Sequence, residues 1–98
     1  MGITLPFQAI AAFCRKWRVT EFALFGSVLR DDFRPDSDID ILLTFEQEAP
    51  WHLWHFVDMK DELESIFARE VDIVEKDAIR NPIRREDILS SYQVVYAA

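Results

Sequence analysis

The chain has 98 residues, half of them hydrophobic and 30% charged, and a mass of 11.5 kDa. That length closes one core and no more, so a single domain over residues 1–98 is expected, and barrel- or kinase-sized architectures are excluded. Eighteen acids against eleven bases give a net charge of −7, which speaks against a protein that grips nucleic-acid backbones.

The longest uninterrupted apolar run, Ala9 to Cys14, is too short to span a bilayer. Arg15, the first basic residue, follows that run instead of preceding it, so no secretory leader is expected. A lone cysteine, Cys14, cannot form an internal disulfide, and a reducing cytoplasm is the expected location.

In chain order, Thr4 can cap a helix whose first turn holds Pro6. Phe7, Ile10, Phe13, Cys14 and Trp17 recur at helical spacing, predicting a helix over 5–17. The apolar run Phe22 to Phe25 ends at Gly26 and reads as a buried strand. One or two helical turns follow over Val28 to Asp32, closed by Arg34-Pro35-Asp36-Ser37. From Asp38 to Phe45 the residues alternate, with Ile39, Ile41, Leu43 and Phe45 on one side and Asp38, Asp40, Leu42 and Thr44 on the other. That is a second strand.

A long helix is predicted over Trp51 to Arg69, with Leu53, Phe56, Val57, Leu63 and Phe67 along its apolar stripe. Glu70 to Glu75 reads as a third strand in which Val71 and Ile73 oppose Asp72 and Val74. Asp77 can cap a short turn, Pro82 can open a helix reaching about Leu89, and Gln93 to Tyr96 makes a small last strand. Helices and strands alternating in so few residues imply an α/β (α+β) fold, a small sheet flanked by helices.

The charge is unevenly spread. Residues 31–48 hold seven acids against Arg34 alone. A solvated acidic face is the plain explanation, but the spacing is specific. Asp38 and Asp40 stand two apart in a strand, about 6.6 Å along the chain and on one side. Two carboxylates so placed repel by about 2.5 kcal/mol at an effective dielectric near 20, and a divalent cation between them reverses the sign. Asp72 interrupts the next strand after an interval that holds a helix, as a crossover to a neighbouring strand requires. If the two strands are adjacent, three carboxylates meet at one edge of the sheet. Such a set suits two Mg²⁺ ions, one activating an attacking hydroxyl and one holding a leaving pyrophosphate.

A phosphate cradle is available at Gly26-Ser27, where a strand ends and a helical turn begins. Ser27 can donate a hydrogen bond to the same anion, and Arg30 can add charge. Each part alone also fits a plain turn with a capping serine. Gly-Ser, then ten residues, then Asp-X-Asp is more specific than either part.

The run Leu24-Phe25-Gly26-Ser27, then Arg30, then Pro35-Asp36-Ser37-Asp38-Ile39-Asp40, then Val71-Asp72-Ile73-Val74 resembles the minimal nucleotidyltransferases of the DNA polymerase beta superfamily. The resemblance covers about residues 20–96. It implies that Gly26 and Ser27 bind a nucleotide triphosphate, that Asp38 and Asp40 hold metal ions, and that Asp72 completes the catalytic triad. Small bacterial members are often antitoxins paired with HEPN-domain ribonuclease toxins, and some transfer AMP from ATP to a tyrosine of that toxin. One departure is Asp31, which stands where many members have glycine after the matching Arg30.

Other signals weigh less. A calcium loop over Asp36-X-Asp38-X-Asp40 fails because Ile41 and Gln47 stand where glycine and an acid are needed. His52 and His55 lack a cysteine nearby and read as surface or partly buried histidines in preference to a zinc site. Trp51 and Trp54 belong to the rim of the core or to a partner interface. Arg80, Arg84 and Arg85 read as ordinary surface charge, with a partner or nucleotide contact as the alternative. Cys14 reads as core, and no histidine near a strand end supports Ser27 as a nucleophile.

Two function classes stay open. One is a nucleotidyltransferase that modifies a protein, with transfer to a small molecule as its enzymatic variant. The other is a binding module that neutralises a partner by contact. The aspartates and Gly-Ser favour the first. Homo- and hetero-oligomers are both compatible with the sequence.

Overall fold

The computed structural model describes residues 5–29, 38–78, 82, 86, 88–89 and 91–98. Helix α1 (Phe7–Trp17) leads into β1 (Val19–Phe25), and a short 3-10 turn spans Gly26–Leu29. Strand β2 (Ile39–Phe45), helix α2 (Leu53–Phe67) and strand β3 (Val71–Glu75) follow, then a 3-10 turn over Lys76–Ala78 and strand β4 (Gln93–Ala97). At Pro82, Glu86, Ile88 and Leu89 the backbone is helical, where a last helix was expected.

The four strands lie in the order β3-β2-β1-β4. Strand β1 is antiparallel to both β2 and β4, and β2 is parallel to β3. The sheet is therefore mixed, and α2 is the crossover that a parallel pair requires.

Alternation along the strands divides the apolar residues between two faces. Phe22, Leu24, Ile39, Ile41, Leu43 and Val71 turn to the face covered by both helices, where Ile10, Phe13, Cys14 and Trp17 of α1 meet Met59 and Leu63 of α2. Ala23, Leu42 and Ile88 form a smaller cluster on the other face, with Phe25, Val74, Leu89 and Tyr92 against it. Burial of about eleven large side chains below 2% exposure, at ~1.5–3 kcal/mol each, drives closure of this sheet.

Several ends differ from the periodicity. Strand β1 begins at Val19, three residues before the apolar run, because Thr20 and Glu21 lie between β2 and β4 and extend the ladders despite their polarity. Helix α1 begins at Phe7, and Phe7 itself is 60% exposed, outside the core. In α2 the core stripe is Phe56, Met59, Leu63, Ile66 and Phe67. Leu53 and Val57 were expected on it but are 71% and 42% exposed. The spacing 56, 59, 63, 66 and 67 forms one continuous stripe, and Leu53 and Val57 lie to one side of it.

Backbone carbonyls at the end of α1 are taken up by the next elements. Trp51 Nε1 donates to the Trp17 carbonyl at 2.7 Å, and the Glu46 amide donates to the Arg18 carbonyl at 2.9 Å. Rings of Trp17 and Trp51 meet edge to face at 5.1 Å, so Trp51 does rim the core, whereas Trp54 is 70% exposed. Among the described residues no helix is long and apolar enough to cross a membrane.

Candidate active site

Where β1 ends, Phe25 is the register partner of Asp40, and the chain then turns through Gly26 with φ +74°. Glycine enters that left-handed region without the Cβ penalty. The turn has a second demand. A Cβ on residue 26 would overlap Asp40 Oδ2 and lie 3.2 Å from its Cγ. The Asp40 carboxylate thus rests on the Gly26 backbone, in space that only glycine leaves open.

On its other side β2 pairs with β3, and the register sets Asp40 opposite Asp72. Register partners in adjacent strands are about 4.8 Å apart and point to the same face. Both acids therefore stand on the face of Leu42 and Val74, at the end where β1 finishes and β2 and β3 begin. Asp40 is partly buried and Asp72 exposed. Two charges about 5 Å apart repel by roughly 1–3 kcal/mol between dielectrics of 80 and 20.

Asp38 immediately precedes β2 and is exposed. The Ile39 amide donates to the Glu70 carbonyl at 3.0 Å, so the β2–β3 pairing is complete up to the residue after Asp38. Among the described residues no group of three His, Cys, Asp or Glu side chains gathers tightly enough to cage a metal ion. What the strands bring together is the lateral pair Asp40 and Asp72, with Asp38 two residues upstream. Ser27 belongs to the 3-10 turn by its backbone. Thr4, Arg30, Asp31, Asp36, Arg80, Arg84 and Arg85 lie outside the described residues.

His52 and His55 form a reciprocal cap on α2. The His52 amide donates to His55 Nδ1 at 3.1 Å, and the His52 ring accepts the His55 amide. Capping accounts for the pair.

Beside the acidic pair runs a groove of about 420 Å³ that periodicity did not single out, lined by Phe56, Val57 and Lys60 of α2 and Asp72, Ile73 and Glu75 of β3. Its sequence signal is the spacing Leu53, Val57, Lys60, a second helical stripe offset from the core stripe.

Residues 8–95 match the nucleotidyltransferase domain family. The protein adenylyltransferase MntA of Thermococcus cleftensis is 36% identical over 70 residues, 71% of this chain and 69% of that protein. Methanocaldococcus jannaschii MJ0128, provisionally named a protein adenylyltransferase, is 40% identical over 73 residues, 74% of this chain and 72% of that one. The fold is also similar to a chain in the complex of a tri-AMPylated Shewanella oneidensis HEPN toxin with its MNT antitoxin. There the TM-score is 0.69 over 94% of this chain and 70% of that one, and at 17% identity the likeness bears on fold alone. With its mixed sheet, its Gly-Ser turn and its family match over nearly the whole length, the chain belongs to the nucleotidyltransferase domain family and is a nucleotidyltransferase of the polymerase-beta-like fold.

Proposed function

We propose that this nucleotidyltransferase, acting as a single cytoplasmic domain, moves AMP from ATP to a tyrosine hydroxyl of a HEPN-type toxin and is thereby its antitoxin. The observation that carries this reading is the lateral pairing of Asp40 with Asp72, with Asp40 seated on Gly26. The name of the Thermococcus cleftensis relative and the AMPylated toxin in the Shewanella oneidensis complex support the same chemistry.

The donor set fits Mg²⁺. That ion prefers hard oxygen ligands and is commonly held by one or two carboxylates together with substrate phosphates, so a carboxylate pair suffices without a cage. Asp40 and Asp72 would hold it, with Asp38 contributing to a second ion. When bound, the metal supplies Lewis acidity and lowers the pKa of an acceptor hydroxyl, which for tyrosine is ordinarily about 10.

The chain's own residues do the positioning. Gly26 leaves the backbone open to the triphosphate, and Ser27 and Arg30 would contact its oxygens, as the family resemblance implies. Among the described residues Asp72 lies on an edge strand and is exposed, so an incoming acceptor would approach from that side. The tyrosine oxygen bonds to the α-phosphorus as the bond to the departing pyrophosphate breaks, and the hydroxyl proton passes to Asp72 and then to water.

The test is intact mass of the protein encoded beside this chain after incubation with the chain, ATP and Mg²⁺. Added AMP with wild type and none with Asp72→Asn supports the reading. No added mass with wild type, together with inhibition of that protein by mixing alone, replaces it with neutralisation by contact.

A further inference from the structure

We propose that the groove between α2 and the outer edge of β3 is where the acceptor polypeptide docks, and that it selects a tyrosine flanked by arginine or lysine. The proposal rests on the protein-adenylyltransferase reading above.

Continuity with the acidic pair is the first argument. Asp72 lines the groove at the edge of the sheet and is also the register partner of Asp40, so a segment lying there can pass around that edge to the face on which the two acids stand. Among the described residues β3 has a strand neighbour on one side only, and the groove opens on its free side. The groove sets Val57 and Lys60 of α2 beside Asp72, Ile73 and Glu75 of β3, and Leu53 and Trp54 lie on the turn of α2 before Val57.

The apolar surface is the second argument. Leu53, Trp54 and Val57 are 71%, 70% and 42% exposed on adjoining positions of α2, where one face of the helix already fills the core. A cluster of this kind, with a tryptophan available as an anchor, marks a protein interface.

Charge identifies the occupant. Asp72 and Glu75 line the groove against Lys60, and Asp61 stands exposed one turn on from Val57 along α2. An acidic rim around an apolar floor attracts a basic segment and repels nucleic acid. It also repels a second copy of this chain, whose net charge is −7. The fitting ligand is a protein segment with an apolar or aromatic anchor and basic residues beside the acceptor tyrosine.

Two fluorescent peptides test this, each with one tyrosine and a leucine anchor, one flanked by arginines and one by glutamates. Binding to the full chain is read by anisotropy without nucleotide, and AMP transfer by mass with Mg²⁺ and ATP. The arginine peptide should bind about tenfold or more tightly than the glutamate peptide and weaken with added salt. Trp54→Ala and Val57→Lys, both at exposed positions, should raise its Kd, and KM for transfer, by about tenfold. Both should leave kcat and the melting shift induced by Mg²⁺ and ATP within about twofold of wild type. Unchanged Kd and KM in the two variants would overturn the proposal while leaving the transferase reading intact. Conversion of a wild-type dimer to monomers by these substitutions would also overturn it, assigning the surface to a second copy. The expected Kd pattern without AMP transfer to any peptide would uphold the groove and count against the transferase reading.

Discussion

Alanine at Gly26 separates the two demands placed on that residue. The first cost is conformational, because a side chain at φ +74° costs about 1–2 kcal/mol. The second is steric, because the new methyl would occupy the place of Asp40 Oδ2. The ladder from Phe25 to Asp40 holds both backbones, so the carboxylate has to leave its rotamer, at about 0.5–1.5 kcal/mol. Together the change should cost about 2–3 kcal/mol and lower Tm by about 10–20 °C for a chain of this size. Any Mg²⁺ and ATP bound through Asp40 should be lost as well. Urea and thermal melts of wild type, Gly26→Ala, Asp40→Ala and the double variant form a cycle. With Asp40 shortened, the steric part disappears and the conformational part stays, so the double variant should be more stable than additivity gives, by about 1 kcal/mol. Strict additivity, or a Gly26→Ala protein within about 0.5 kcal/mol of wild type, would refute the reasoning.

Asp72→Asn removes the repulsion across β2 and β3 and should raise metal-free stability by up to about 1 kcal/mol while abolishing the melting shift with Mg²⁺ and ATP, as calorimetry reads directly. His52→Ala removes one arm of the reciprocal cap on α2 and should cost about 1 kcal/mol in urea titration, with added Zn²⁺ leaving the wild-type melt unchanged. Burial pushes the Cys14 thiol up to about 12 from its ordinary 9.0, against a smaller lowering by Arg15. The folded state therefore holds the proton where the unfolded chain releases it, so this contribution is full below about pH 9 and is lost as pH climbs toward about 12. A thiol reagent at pH 9 should label Cys14 only in denaturant, and Cys14→Ala should show a shallower alkaline loss of stability.

The alternation from Asp38 to Phe45 and from Glu70 to Glu75 made β2 and β3 legible, because each strand has one face in the main core and a break in apolarity at an aspartate. It also made the meeting of Asp40 with Asp72 legible, since a helix-length interval between two strands implies a parallel crossover. The contact between Asp40 and Gly26 was not. It depends on the antiparallel register that pairs Phe25 with Asp40, and nothing in the composition of either strand fixes a register to one residue. Helix α2 was misread at Leu53 and Val57 for a related reason. It carries apolar residues on two adjoining stripes, and only packing on the sheet decides that Met59 and Leu63 go inside. Val19 to Glu21 escaped notice because their place in the sheet comes from neighbours far away in sequence, Phe45, Thr44 and Ala97.

The parallel pairing of β2 with β3 has a consequence for biogenesis. Asp40 and Asp72 are thirty-two residues apart in the chain, and their meeting requires closure of a loop of that length, at an entropic cost of about 3 kcal/mol. Non-local parallel contacts of this kind form late in folding. An emerging chain that has laid down β1 and β2 already seats Asp40 on Gly26 but lacks its second carboxylate until β3 has left the ribosome and docked. If Asp40 and Asp72 hold the metal as proposed, reactivity is withheld from partly made forms and appears with the closed sheet.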